Sequence, residues 1–78
     1  MRKLNVIAKE ISNDWGVKVS YAAKPYLAEM HRMNDLDDTI GCENGDTMVR
    51  YFLSNASSWR GETAKRVKLE LKSMVGLK

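Results

Sequence analysis

Apolar residues recur along the first fifteen positions at Leu4, Ile7, Ala8, Ile11 and Trp15. This is the i, i+3, i+4, i+7 spacing that gathers side chains on one face of an α-helix. It predicts a helix from Arg2 to about Trp15, ended by Asn13, Asp14 and Gly16, the glycine being free to turn left-handed beyond the last turn. Over residues 17–21 the period shortens to two, with Val17, Val19 and Tyr21 alternating with Lys18 and Ser20, as in a half-buried strand. Five such residues need a neighbour for their backbone groups. The other β-compatible stretch is Thr39, Ile40, Gly41 and Cys42. The segment therefore pairs with that stretch, pairs with a second copy of the chain, or serves as an extended connector.

Pro25 suits the first position of a second, short helix, where its missing N–H has no partner to lose. Leu27, Met30 and His31 share a face of it, and Met33 falls off that face. Residues 35–46 read as a loop, with Asn44 and Gly45 as a turn pair and Asp46 as N-cap of a third helix over 47–57. Val49, Phe52, Leu53 and Ala56 form its apolar side, with Met48 at the margin. A break at Ser57 and Ser58 precedes the last helix, capped by Ser58, on which Ala64, Val67, Leu71, Met74 and Val75 align and which Gly76 closes. Four helices with at most a minimal strand pair make an all-α, compact four-helix single domain over residues 1–78.

Composition narrows the function classes. The chain has 78 residues, 44 % hydrophobic and 29 % charged, a globular balance rather than a disordered one. A domain this small buries only about 60 % of its unfolded surface, which leaves little room for a substrate pocket. Neither a small-molecule substrate nor a cofactor is expected. The lone Cys42 rules out an internal disulfide and fits a reducing compartment. The basic opening at Arg2 and Lys3 leads into an apolar stretch broken by Asn5 and stopped by Lys9 and Glu10, unlike a signal peptide. No apolar run approaches the roughly 20 residues of a membrane helix, so no membrane partner is expected.

Charge is arranged in blocks. Residues 35–46 carry five acids and no base, whereas residues 47–78 carry seven bases and two acids. A net charge of +3 thus conceals an acidic middle and a basic end.

The run Tyr51, Phe52, Leu53, Ser54, Asn55, Ala56, two serines, Trp59, Arg60, Gly61 and Glu62, continuing to Leu71, has a counterpart elsewhere. With residues 7–11 and 23–27, it resembles small uncharacterised proteins of tailed bacteriophages and prophages. In these a YFLSNAxxWRGE segment precedes a basic C-terminal helix. The resemblance covers most of the chain and is most specific at residues 59–62. It implies a viral origin and action in the host bacterial cytoplasm. It brings no activity and no site residue with it.

Candidate chemistry is therefore read from the residues. Arg60 falls on nearly the same helical face as Val67 and Leu71, where an unpaired guanidinium is too costly to bury. Two arrangements follow. In one, Trp59 wedges the last two helices apart and Arg60 fastens the corner to free carbonyls or to an acid of 35–46. In the other, Arg60 and Trp59 are an exposed pair gripping a phosphate or a partner carboxylate. Gly61 is expected to let the corner approach another helix closely. Lys65, Arg66, Lys68 and Lys72, followed by Lys78, form a basic face suited either to solvent or to sequence-blind nucleic-acid binding. Its spacing matches a helix-turn-helix poorly. Residues 35–46 fail as a calcium loop, with Ile40 at the glycine position and Asp46 at the glutamate position. One imidazole, His31, and one thiol do not make a zinc site or, without an orienting third group, a nucleophilic pair.

Apolar residues on polar faces are the remaining signal: Val6, Met33, Tyr51 and Leu69. Tyr51 and Leu69 are candidates for a surface that meets a protein partner, host or viral, or a second copy of the chain. The expected function is a non-enzymatic protein–protein interaction module, with nucleic-acid binding through the basic last helix as the alternative.

Overall fold

The first apolar stripe becomes α1, Leu4–Trp15, with Leu4, Ile7, Ala8, Ile11 and Trp15 all buried. A computed structural model describes residues 2–37, 39–40 and 43–76, of which 39, 40 and 43 by backbone alone. No side chain caps the start of α1. Its first two N–H groups donate instead to the carbonyls of Asn34 and Met33, each at 2.9 Å. A distant turn thus satisfies the donors that a helix start leaves free.

That turn explains where the second helix stops. α2 runs Lys24–Met30, one residue earlier in onset than Pro25 and three residues short of Met33. Arg32 and Met33 then donate to the carbonyls three residues back, tightening the chain. Met33, off the stripe of a continued helix, is thereby swung inward and fully buried.

Residues 17–21 are not a strand. Gly16–Lys18 is a 3-10 turn, and the next backbone bonds, Val19 to Gly16 and Ala23 to Ser20, are local. A segment that satisfies its own backbone in turns has no ladder to offer. Thr39–Ile40 pairs instead with Glu43–Asn44, antiparallel, as β1 and β2. Cys42 lies outside the described residues, as do Asp38, Gly41 and Lys78.

α3 spans Gly45–Ser54, and its cap is Asn44 rather than Asp46: the Asn44 Oδ1 accepts from the Thr47 N–H at 2.9 Å. The helix starts earlier than expected because Gly45 packs against the loop before it. A Cβ there would stand 2.6 Å from the Asp35 carbonyl oxygen, so only glycine fits. α4 spans Glu62–Met74, capped by Gly61 rather than Ser58. The expectation of a close approach at Gly61 is also corrected. Nothing lies within 4 Å of where its Cβ would be, and its φ of 115° is what calls for glycine.

The main helix contacts form a ring: α1 meets α2 and α4, and α3 meets α2 and α4. The stripes of all four face inward, joined by Ala23, Met33, Ala56, Trp59 and Val75 from the connections. Among the described residues no polar or charged side chain is buried. The fold is all-α, with four helices and one minimal strand pair.

Candidate interaction surface

The corner between α3 and α4 is organised around one indole. Trp59 is only 2 % exposed. It stacks on Trp15 at 5.6 Å between ring centres and 16° between planes. Phe52 meets both indoles edge-on, at 6.2 and 6.4 Å. The Trp59 N–H donates to Asp14 Oδ2 at 2.8 Å, and its carbonyl accepts from Lys68 Nζ at 2.6 Å. Trp59 is therefore the wedge between helices that the sequence suggests. Its ring is not available as a contact surface.

Arg60 departs from the expected fastening role. α4 begins two residues after it, so Arg60 is not on the Val67–Leu71 face, and Gly61 turns it outward. It is exposed, and among the described residues no hydrogen bond or ion pair engages it. Arg60 sits on a crest between two open depressions. One, of about 510 Å³, is floored by Trp59, Gly61 and Ala64 and rimmed by Glu62, Lys65 and Lys68. The other, also about 510 Å³, lies between Arg60, Ser58, Asp14 and Lys18.

The basic helix face divides in two. Arg66 pairs with Glu10, which also binds Arg2 at 2.7 Å. Arg2 reaches on to Glu70 with its Nε at 3.0 Å. This network closes α1 on α4 and removes Arg66 from any free basic face. Lys65, Lys68 and Lys72 lie on the other flank, toward Arg60. Burial, and then the charges of Lys72 and Arg60, push the Lys68 ammonium below its ordinary pKa.

The two apolar candidates stand apart. Tyr51 is 46 % exposed, and its ring tilts on that of Tyr26 at 5.3 Å, along the seam of α2 and α3. Arg50, about 100° round α3 from it, donates to the Val75 carbonyl beyond α4. Tyr51 thus packs toward α2. Leu69, 60 % exposed, stands alone mid-way along the outer face of α4.

Among the described residues the most exposed large apolar ones lie outside the sequence candidates. Val17 is 100 % and Tyr21 90 % exposed. Both are on the turn segment that the alternating pattern casts as a half-buried strand, of which only Val19 packs against the core. Ser20 Oγ, between them in sequence, donates to the Asn55 carbonyl at 3.0 Å. This fixes the segment beside the tryptophan corner.

The other candidates resolve simply. The His31 ring nitrogen meets Ser12 Oγ at 2.8 Å, a satisfied surface contact. Its proposed comparison with Cys42 falls outside the described residues. Asp46 pairs with Arg50 within α3 at 2.6 Å. Among the described residues no group of three His, Cys, Asp or Glu could hold a metal ion, and no helix is long and apolar enough to cross a membrane. The chain matches no protein-family model, no curated protein and no solved structure.

Proposed function

We propose that this chain is a non-enzymatic protein–protein interaction module, phage-encoded and acting in the host bacterial cytoplasm, which docks a protein through one end of its helix ring. That end comprises the turn segment 16–21 and the corner 57–61. The observation that carries this reading is the full exposure of Val17 and near-full exposure of Tyr21 on a segment tied to the corner by the Ser20–Asn55 bond. Single exposed apolar residues are common on any surface. Val17 and Tyr21 lie on the segment whose Lys18 shares a depression with Arg60, so apolar and cationic groups are both offered at this end.

Self-association through Leu69 has less support. A stable interface buries about 800 Å² on each partner, and Leu69 is one leucine among Glu62, Lys65, Arg66 and Ser73. Nucleic-acid binding is the second reading, favoured by the run of Arg60, Lys65, Lys68 and Lys72 along one flank. A photo-crosslinking residue placed at Tyr21, with Lys9 as the control position, tests the two in bacterial cells producing the protein. A discrete protein adduct from position 21 alone is expected. A nucleic-acid adduct, or equal labelling from both positions, overturns the docking reading.

A further inference from the structure

We infer that the docked partner presents an acidic segment with apolar residues beside its carboxylates, seated across the crest formed by Arg60. The inference rests on the docking reading above and adds the chemistry of the partner. Lys18, Arg60, Lys65 and Lys68 rim the two depressions on either side of that crest. Two acids, Asp14 and Glu62, line the same depressions, so four cations face two carboxylates and the rim stays positive. Among the described residues no hydrogen bond or ion pair engages Arg60. Its planar fork of donors matches a carboxylate in two-point contact.

Lys68 adds to this. Its ammonium is held by the Trp59 carbonyl, and burial first, then the charges of Lys72 and Arg60, disfavour its charged form. An arriving carboxylate offsets the part that comes from Lys72 and Arg60. Val17, next to Lys18 in sequence, and Tyr21, three positions beyond it, supply apolar contacts that acids alone would not use.

A peptide fits this mixture better than a phosphate strand does. Glu62 stands in the same depression as Arg60 and Lys65. A nucleic acid carries a charge at every phosphate and must meet that carboxylate, whereas a peptide can place its acids to either side.

Selection of a displayed random-peptide library on the intact protein tests the inference. Arg60→Glu and the Val17→Ser/Tyr21→Ser pair serve as variants, and random-sequence single-stranded DNA as the competing probe. Arg60 is exposed and makes no hydrogen bond or ion pair among the described residues, so its reversal leaves the fold intact, which the fluorescence of the stacked tryptophans verifies. Expected are peptides enriched in Asp and Glu beside apolar residues, weakened by added salt and about tenfold or more by Arg60→Glu. Neutral or basic peptides that depend on Val17 and Tyr21 but not on Arg60 overturn the acidic partner and leave the docking reading standing. The absence of any enriched peptide overturns the inference. DNA binding tighter than that of every selected peptide overturns both.

Discussion

Asp14 is an acid at the wrong end of a helix. It lies in the last turn of α1, where the negative end of the helix dipole disfavours a carboxylate by about 0.3–1 kcal/mol. The Trp59 N–H, at 2.8 Å, supplies the compensation. Nothing local in the sequence reveals this pairing, because the partners are 45 positions apart. The indole could be placed at a corner, but its bond partner could not. Trp59→Phe keeps most of the ring packing and removes the donor, and is expected to cost about 1.5–3 kcal/mol, the range for a hydrogen bond to a charged group. Trp59→Ala leaves a cavity as well and is expected to cost about 3–5 kcal/mol. A chain of this length is stable by only about 4–12 kcal/mol, so the alanine variant is left marginal. Urea unfolding of Trp59→Phe, Asp14→Asn and the double variant checks the pairing. The double variant should be less destabilised than the two single losses combined.

At the scale of elements, the stripes are legible and the ends are not. Burial follows the 3.6-residue period, so Leu4, Ile7 and Ile11, or Val67 and Leu71, declare themselves. Helix ends depend on groups far away in sequence. The Met33 and Asn34 carbonyls serve α1, and that demand stops α2. The Asp35 carbonyl presses on Gly45 and moves the start of α3. At α4 the same uncertainty had a functional consequence. Carrying the helix back to Ser58 places Arg60 on the buried side, whereas the observed start at Glu62 frees it. Adjacency in sequence also misleads around a helix, where neighbouring residues are about 100° apart. Lys65 and Arg66 therefore fall on different flanks, and one basic face becomes two. The turn at 17–21 is a third case: five alternating residues describe a strand only if something pairs with them. Ends held by distant partners should also loosen alone. Arg50 joins Asp46 in α3 to the Val75 carbonyl beyond α4. Arg50→Gln is expected to cost about 1 kcal/mol, small because the side chain is partly in solvent. Amide hydrogen exchange should quicken at Val75 and Gly76 while the amides around Trp59 are unchanged.

Across the whole molecule, charge is sorted onto opposite flanks of α4. The radius of gyration is 11.1 Å, close to the roughly 11.5 Å of a folded chain of this length. One flank is neutralised by Arg2, Glu10, Arg66 and Glu70 and closes the ring of helices. The other, from Arg60 to Lys72, is left positive and is the flank assigned to docking. The closed flank has its own signature in acid. Hydrogen bonds from Arg2, and then from Arg66, hold the Glu10 carboxyl below its ordinary range, and Arg2 does the same for Glu70. A carboxyl whose pKa is lower in the folded than in the unfolded chain favours folding at any pH above the unfolded value, about 4.3. That contribution fades as pH falls through the folded value. The native protein should therefore lose stability progressively below about pH 4.3. Both acids are partly in solvent, so the Glu10→Gln/Glu70→Gln variant is expected to lose only about 1 kcal/mol at neutral pH. Its urea midpoint should then vary less with acidification than that of the native chain. The two curves should converge once Glu10 and Glu70 are protonated. Parallel curves would mean that other carboxylates govern acid unfolding and that the seam between α1 and α4 is held by its apolar contacts alone.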